Sequence, residues 1–257
     1  VLAEQGVAEW RSDGSLKLVK RPEPPPIRTP EVADFAPVVR RVVARLPDAL
    51  EGRRRYFTDR ELMLLYAKFL DNIGYNWWRR ATLRLVLPKD LRGREDAVIA
   101  DVGAGMGLST VVLLELCRGT VVAVDPFEEN LESVADYAAI KRAERRVRTV
   151  KGYAEDFKLD SPADAAVMLN MLHWCNSPQL ALRNAAANVK KGGYLAVVQG
   201  VTEDETMRLG AIIAYLLGAP HYELSRRELY RMIGEEGLRV EKRYAMAGHE
   251  LALAKVP

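Results

Sequence analysis

Cysteine is scarce in this chain: Cys117 and Cys175 are the only two among 257 residues. That is too few for a disulfide framework or a zinc site, and a reducing, cytoplasmic setting is the expectation. Long apolar runs are missing as well. None reaches the ~18 residues a bilayer span needs, and no signal-peptide pattern opens the sequence, so no membrane partner is expected. An excess of one charge sign is also lacking, with 38 Lys and Arg against 35 Asp and Glu and a formal net charge of +3. Such a balance gives no nucleic-acid footprint by itself. What is plentiful is apolar: 49 % of residues are hydrophobic, enough to bury a substantial core. The length suits one large domain, or an ordinary catalytic domain with a smaller partner. Val1, standing where a Met would, leads us to expect further residues ahead of it.

Three regions follow in order. Residues 1–20 read as a helix end and then a hairpin, with Ala8–Arg11 and Leu16–Val19 extended around Asp13-Gly14, a tight-turn pair. Arg21-Pro22-Glu23-Pro24-Pro25-Pro26 is an extended linker, because proline fixes φ and removes a backbone donor. Helical periodicity covers about 30–50 and 58–87, and Thr58 with Glu61 has capping-box spacing. Tyr75, Trp77 and Trp78 form an aromatic cluster that suits a buried junction or a lid. Pro88–Gly93 breaks the pattern and marks a boundary, so the third region spans 94–257. There short apolar runs alternate with amphipathic ones. Strands are expected at 97–102, 121–124, 147–150, 165–169 and 194–198. Helices are expected at 109–117, 131–143, 178–189 and 225–236, and two closing strands at 239–244 and 250–255. Lys190–Gly193 reads as a break before its strand. The fold class is therefore α/β: a Rossmann-like, doubly wound, mostly parallel sheet with antiparallel C-terminal strands, preceded by a mainly helical region.

The strongest signal is Ile99-Ala100-Asp101-Val102-Gly103-Ala104-Gly105-Met106-Gly107. Glycines between a strand and a helix let backbone approach a ligand that side chains would strike. Asp125, at the end of the second strand, can accept two hydrogen bonds from a ribose diol. The spacing is Gly-x-Gly-x-Gly, whereas a dinucleotide fingerprint places Gly where Leu108 stands. That turns the cofactor away from NAD.

On these residues, 97–200 resemble the class I S-adenosylmethionine-dependent methyltransferases. The resemblance implies that cofactor contacts come from Asp101, Gly103, Ala104, Gly105, Gly107, Asp125 and Pro126. It adds Ala154, Glu155, Asp156 and Phe157 beside the adenine, and Asn170 and Met171 at the next strand end. Asp101 has an alternative as a loop-capping residue, and which of Glu155 and Asp156 meets the adenine stays open. Tyr153 departs from relatives that carry Asp there. No metal is expected.

The run Leu172-His173-Trp174 to Asn188, then Gly192-Gly193-Tyr194, resembles small-molecule O-methyltransferases of the phenolic and hydroxyindole type. That resemblance makes His173 a general base, suited by a near-neutral pKa, and Glu223 of Glu223-Leu224-Ser225 the glutamate that orients it. It also makes residues 1–20 part of a winged-helix dimerisation module, 21–93 a linker and dimerisation or lid region, and a homodimer the expected state. An ordinary hairpin remains the alternative for 1–20. Two departures stand: no acid follows His173, and Gln199 occupies a place where a carboxylate is common. Carboxyl methyltransferases carry similar His-Trp runs and need no base, so His173 as a mere pocket-shaping residue stays open. His221 and His249 read as surface or packing residues. Cys175 lacks the proline-cysteine partner of a covalent mechanism, and no Asn-Pro-Pro-Tyr motif for base amino groups is present. The expectation is a methyltransferase using S-adenosylmethionine on an oxygen of a small molecule. Its rivals are an RNA or protein methyltransferase, motivated by Arg40-Arg41, Arg53–Arg55 and Arg79-Arg80, and a cofactor-sensing DNA-binding regulator.

Overall fold

A computed structural model describes residues 8–12, 16–19, 30–44, 46–51, 70 and 75–257. The expected helix end before residue 8, the proline linker and the Thr58–Glu61 capping box lie outside the described residues. The hairpin is present: β1 (Ala8–Trp10) and β2 (Leu16–Leu18) pair antiparallel, with Glu9 opposite Lys17. Helices α1 (Pro30–Val43) and α2 (Leu46–Leu50) follow, then α3 (Tyr75–Val86) and the short α4 (Lys89–Gly93).

Beyond them a seven-stranded sheet forms from β3 (Val98–Val102), β4 (Thr120–Asp125), β5 (Val147–Lys151), β6 (Ala163–Leu169), β7 (Val189–Gly200), β8 (Arg239–Met246) and β9 (His249–Lys255), in the order β5-β4-β3-β6-β7-β9-β8. The first five strands pair in parallel, and β9 runs antiparallel between β7 and β8. Strands β3 and β6 are apolar runs because helices cover both faces. Their side chains alternate: Ala100 and Val102 point to a core with α7 (Pro178–Ala187) and α9 (Arg226–Glu235), while Ile99 points to one with α3 and α5 (Leu108–Leu116). The chain builds outward from β3 through β4 to β5, then returns to β6 on the other side. That reversal opens a crevice at the carboxyl ends of β3 and β6, where ligands of such sheets sit.

Three differences from the sequence expectation have physical causes. Helix α6 (Glu128–Ile140) starts three residues before Leu131, since Glu128 and Glu129 suit a first turn. Lys190–Gly193 is no break but part of β7: the ladder steps from Ala163–Val189 to Ala165–Tyr194, and Gly192 adopts φ +72°. A Cβ on Gly193 would come within 2.7 Å of the Asp164 carbonyl oxygen, so this irregularity requires glycine. Helix α8 (Glu205–Leu216) occupies a stretch where no element was expected, with Gly210 inside it. It packs against α1, joining Val38 and Val42 to Leu216 and Leu217, with Trp174 at the margin. The N-terminal helical region thereby reaches the crevice.

Candidate active site

At the carboxyl ends of the parallel strands lies a cavity of about 470 Å³. One wall is built almost entirely from backbone and one carboxylate. Gly103, Gly105 and Gly107 all have positive φ, which side chains rarely adopt. A Cβ at Gly103 would strike Met171 and one at Gly107 would strike Val134, whereas a Cβ at Gly105 would meet nothing within 4 Å. Gly105 therefore keeps open room that a side chain would fill, as a cradle for a bound molecule does. Asp125 closes this wall. Its Oδ2 accepts from Gly105 N–H (2.9 Å), and its Oδ1 accepts from Phe127 N–H (3.1 Å) and the Asn130 amide (2.8 Å). Burial raises its pKa, and these three donors oppose the rise.

Gly103, Ala104, Gly105, Asp125, Pro126, Ala154, Glu155, Asn170, Met171 and His173 all line the cavity. Four of the expected cofactor residues do not line it. Asp101 is 1 % exposed beneath the loop, and its Oδ2 accepts from the hydroxyls of Ser109 (2.8 Å) and Thr110 (2.6 Å). It thus ties the strand to the start of α5, which is the loop-capping alternative. Burial lifts its pKa to about 6. Gly107 caps α5, Phe157 is buried in the core, and Asp156 is exposed. Of the two acids, Glu155 is the one on the wall, and its Oε1 accepts from the N–H groups of Asn176 (2.7 Å) and Ser177 (3.1 Å).

The opposite wall is assembled from distant segments. Asn170, at φ +51°, donates its amide to the Tyr75 hydroxyl and to His249 Nε2 (2.7 Å), and accepts from Gly200 N–H (2.9 Å). The His249 ring packs at a tilt against Trp78, and Trp78 stacks on Tyr75. His249 is a packing residue, one of the two readings the sequence offered; strand β9 also carries it to the cavity rim, and burial lowers its pKa. Trp78 makes the buried junction and Tyr75 reaches the cavity, while Trp77 is 70 % exposed.

His173 is partly buried on the same wall, its ring 5.1 Å from that of Trp174. Burial lowers its pKa to about 4, and His249 adds to the fall. Gln199 Nε2 sits 3.2 Å from His173 Nδ1 and also donates to the Gly200 carbonyl (3.2 Å), while Gln199 Oε1 accepts from Leu172 N–H (3.2 Å). The assignment of Glu223 as the orienting group is corrected: Glu223 is exposed and off the cavity wall, and Gln199 holds the histidine instead. Helix α8 supplies Met207, Ala211 and Ile213, and the loop after it Tyr222. Cys175 is buried in the wall, and burial pushes its thiol far above the usual range, which removes thiolate chemistry.

The family model described as methyltransferase domain matches residues 100–197. This stretch runs from the middle of β3 to the middle of β7 and so contains the glycine loop, Asp125 and His173. Solved O-methyltransferases share the fold of the whole chain. A family member from Burkholderia thailandensis aligns at 13 % identity and TM-score 0.69, over 99 % of this chain and 81 % of its own. A family 2 protein from Planctomyces limnophilus, solved with apigenin, aligns at 20 % and 0.63, over 100 % and 79 %. The O-methyltransferase of neocarzinostatin biosynthesis, solved with S-adenosylmethionine and 2-hydroxy-5-methyl naphthoic acid, aligns at 17 % and 0.62, over 100 % and 82 %. No curated protein matches the chain. Residues 100–197 thus match a methyltransferase domain, and the chain shares the Rossmann-like fold of these solved O-methyltransferases. No described helix is long and apolar enough to cross a membrane, and no described cluster of His, Cys, Asp and Glu could hold a metal.

Proposed function

We propose that the protein is an S-adenosylmethionine-dependent methyltransferase acting on an oxygen of a small molecule. One observation carries the reading: a single cavity is bounded on one side by Gly105 and Asp125 and on the other by His173, Trp174 and Tyr222, so cofactor and acceptor would share one space. A concave site of about 470 Å³ suits a small acceptor.

The residues present fit the cofactor. Gly103, Ala104 and Gly105 would hold its methionine part and Asp125 its ribose. Tyr153, Ala154 and Glu155 would flank the adenine, and Asn170 and Met171 would close the middle. The bound cofactor supplies an electrophilic methyl group on a positively charged sulfur. The chain's own part is then to orient an acceptor oxygen in line with that methyl and to exclude water, which positioning alone makes productive. We propose further that residues 1–93 form a dimerisation and lid region with a winged-helix hairpin, and that the enzyme works in the cytoplasm as a homodimer. The packing of α1 on α8 supports the lid role.

Calorimetric titration with S-adenosylmethionine, its demethylated product and NAD tests the cofactor. Binding of the first two and not of NAD is expected. Binding of NAD alone would overturn the reading and point to an oxidoreductase. Sedimentation of the full chain tests the dimer.

A further inference from the structure

We infer that His173 meets the acceptor as a hydrogen-bond donor through Nε2–H, held in that tautomer by Gln199, and that the acceptor is a carboxylate. One carboxylate oxygen would take the hydrogen bond while the other attacks the methyl carbon. This inference rests on the proposed function and names its substrate class.

The argument begins at the Gln199 amide, whose orientation two backbone groups determine. Leu172 N–H needs an acceptor and finds Oε1; the Gly200 carbonyl needs a donor and finds Nε2. Turning the amide over would set donor against donor and oxygen against oxygen. Nε2 is therefore the nitrogen that faces His173 Nδ1 at 3.2 Å, and it can only donate. His173 Nδ1 must then be the ring's acceptor, and in a neutral imidazole the proton sits on Nε2. No described residue meets Nε2, and the side chain lines the cavity. Burial, by lowering the His173 pKa, keeps the ring neutral. His249 shows the opposite arrangement in the same wall. Its Nδ1 faces the Ala247 carbonyl at 2.8 Å and its Nε2 takes the Asn170 amide hydrogen, so its proton sits on Nδ1.

A neutral phenol must lose a proton as its oxygen bonds to carbon, and only an unprotonated Nε2 could take it. That would require a hydrogen on Nδ1, aimed at the Gln199 amide hydrogens; two buried donors face to face lose a hydrogen bond on both sides. A carboxylate makes no such demand. Its oxygen forms the new O–C bond, the electron pair of the S–C bond returns to sulfur, and no proton is released.

The first test reads the tautomer without turnover. Protein labelled with ¹⁵N-histidine gives long-range ¹⁵N–¹H correlations at pH 7, and with three histidines in the chain the His173 signals are assigned by their loss in His173→Phe. Expected are a proton on Nε2 of His173 and on Nδ1 of His249; a proton on Nδ1 of His173 would overturn the inference whatever the fate of the cofactor reading. The second test uses Gln199→Glu, whose carboxylate accepts from Nδ1 and should move the proton there. Turnover is compared on aromatic carboxylic acids and shape-matched phenols. The wild type should esterify the acids, with kcat/KM falling about 30-fold in Gln199→Glu, the size of one lost hydrogen bond to a charged group, and phenol turnover rising. Wild-type turnover of phenols and not of acids sinks the carboxylate assignment. A failure to bind S-adenosylmethionine would instead strike the proposed function and leave the tautomer measurement standing.

Discussion

The two walls of the cavity are built on different plans. The wall of Gly103, Gly105 and Asp125 is local: its hydrogen bonds run from β4 and the residues just after it to the β3–α5 loop, within a short stretch of chain. The wall of Asn170, His173, Gln199 and His249 is assembled from α3, β6, β7 and β9, and one of its bonds spans 95 positions. A local wall needs few exact residues and can recur wherever one cofactor is used. A dispersed wall can change one member at a time, which suits the side that selects the acceptor. Gln199 is an instance, since one amide in place of a carboxylate alters which ring nitrogen of His173 carries hydrogen.

The sharpest way to break this comparison is at Asp125. Asp125→Ala removes the carboxylate and orphans Gly105 N–H, Phe127 N–H and the Asn130 amide together. Loss of hydrogen bonds to a charged group should weaken S-adenosylmethionine binding at least about 100-fold, read by calorimetry. A change below about threefold would show that the local wall does not hold the cofactor.

The next effect sets Asp101, buried beneath the glycine loop, against His173 on the opposite wall. Asp101 holds its proton more tightly when folded, with a pKa raised from 3.8 to about 6, so its contribution to stability falls as pH climbs through that window. His173 holds its proton less tightly, with a pKa lowered from 6.5 to about 4, so its contribution rises from about pH 4 to 6.5. Two pKa units correspond to about 3 kcal/mol, somewhat less for His173 because its ring opens to the cavity. The two slopes oppose each other in the wild type. Asp101→Asn, which keeps an acceptor for Ser109 and Thr110, should leave a rise of about 2 to 3 kcal/mol between pH 4 and 6.5. His173→Phe should leave a fall of about 3 kcal/mol. Urea unfolding at the two pH values measures both, and parallel profiles for the variants would refute the pairing.

The same division explains what was legible in the sequence. The sheet and its helices follow from apolar periodicity, and the glycine loop with Asp125 is a contiguous motif whose spacing alone turned the cofactor away from NAD. His173 was found because it lies four residues beyond β6. Its partner was misassigned to Glu223, since a motif in sequence cannot tell which strand end comes beside it; β7 delivers Gln199 there, and Leu224, not Glu223, turns inward. That Tyr75 and His249 both meet Asn170 was not legible, because their meeting is a property of the sheet order. Helix α8 went unread for a local reason: Gly210 interrupts a run that has too few charges to show a polar face. Asp101 looked like a ligand residue because an acid two before a glycine loop suits both contacting a ligand and capping the loop, and only burial separates the two.

Asn170 tests whether the dispersed wall is also a structural joint. It satisfies Tyr75 on α3, Gly200 at the end of β7 and His249 on β9, and at φ +51° it occupies a conformation that asparagine tolerates and alanine resists. Asn170→Ala leaves a buried backbone N–H and a histidine nitrogen without partners and adds backbone strain. The expected cost is about 2 kcal/mol in unfolding free energy. Asn170→Gly removes the same hydrogen bonds but accepts the backbone angle, so the difference between the two variants isolates the strain, about 1 kcal/mol. Equal losses would assign the whole cost to the hydrogen bonds. No loss in either would mean that α3, β7 and β9 hold the acceptor wall through the Tyr75–Trp78–His249 ring contacts alone.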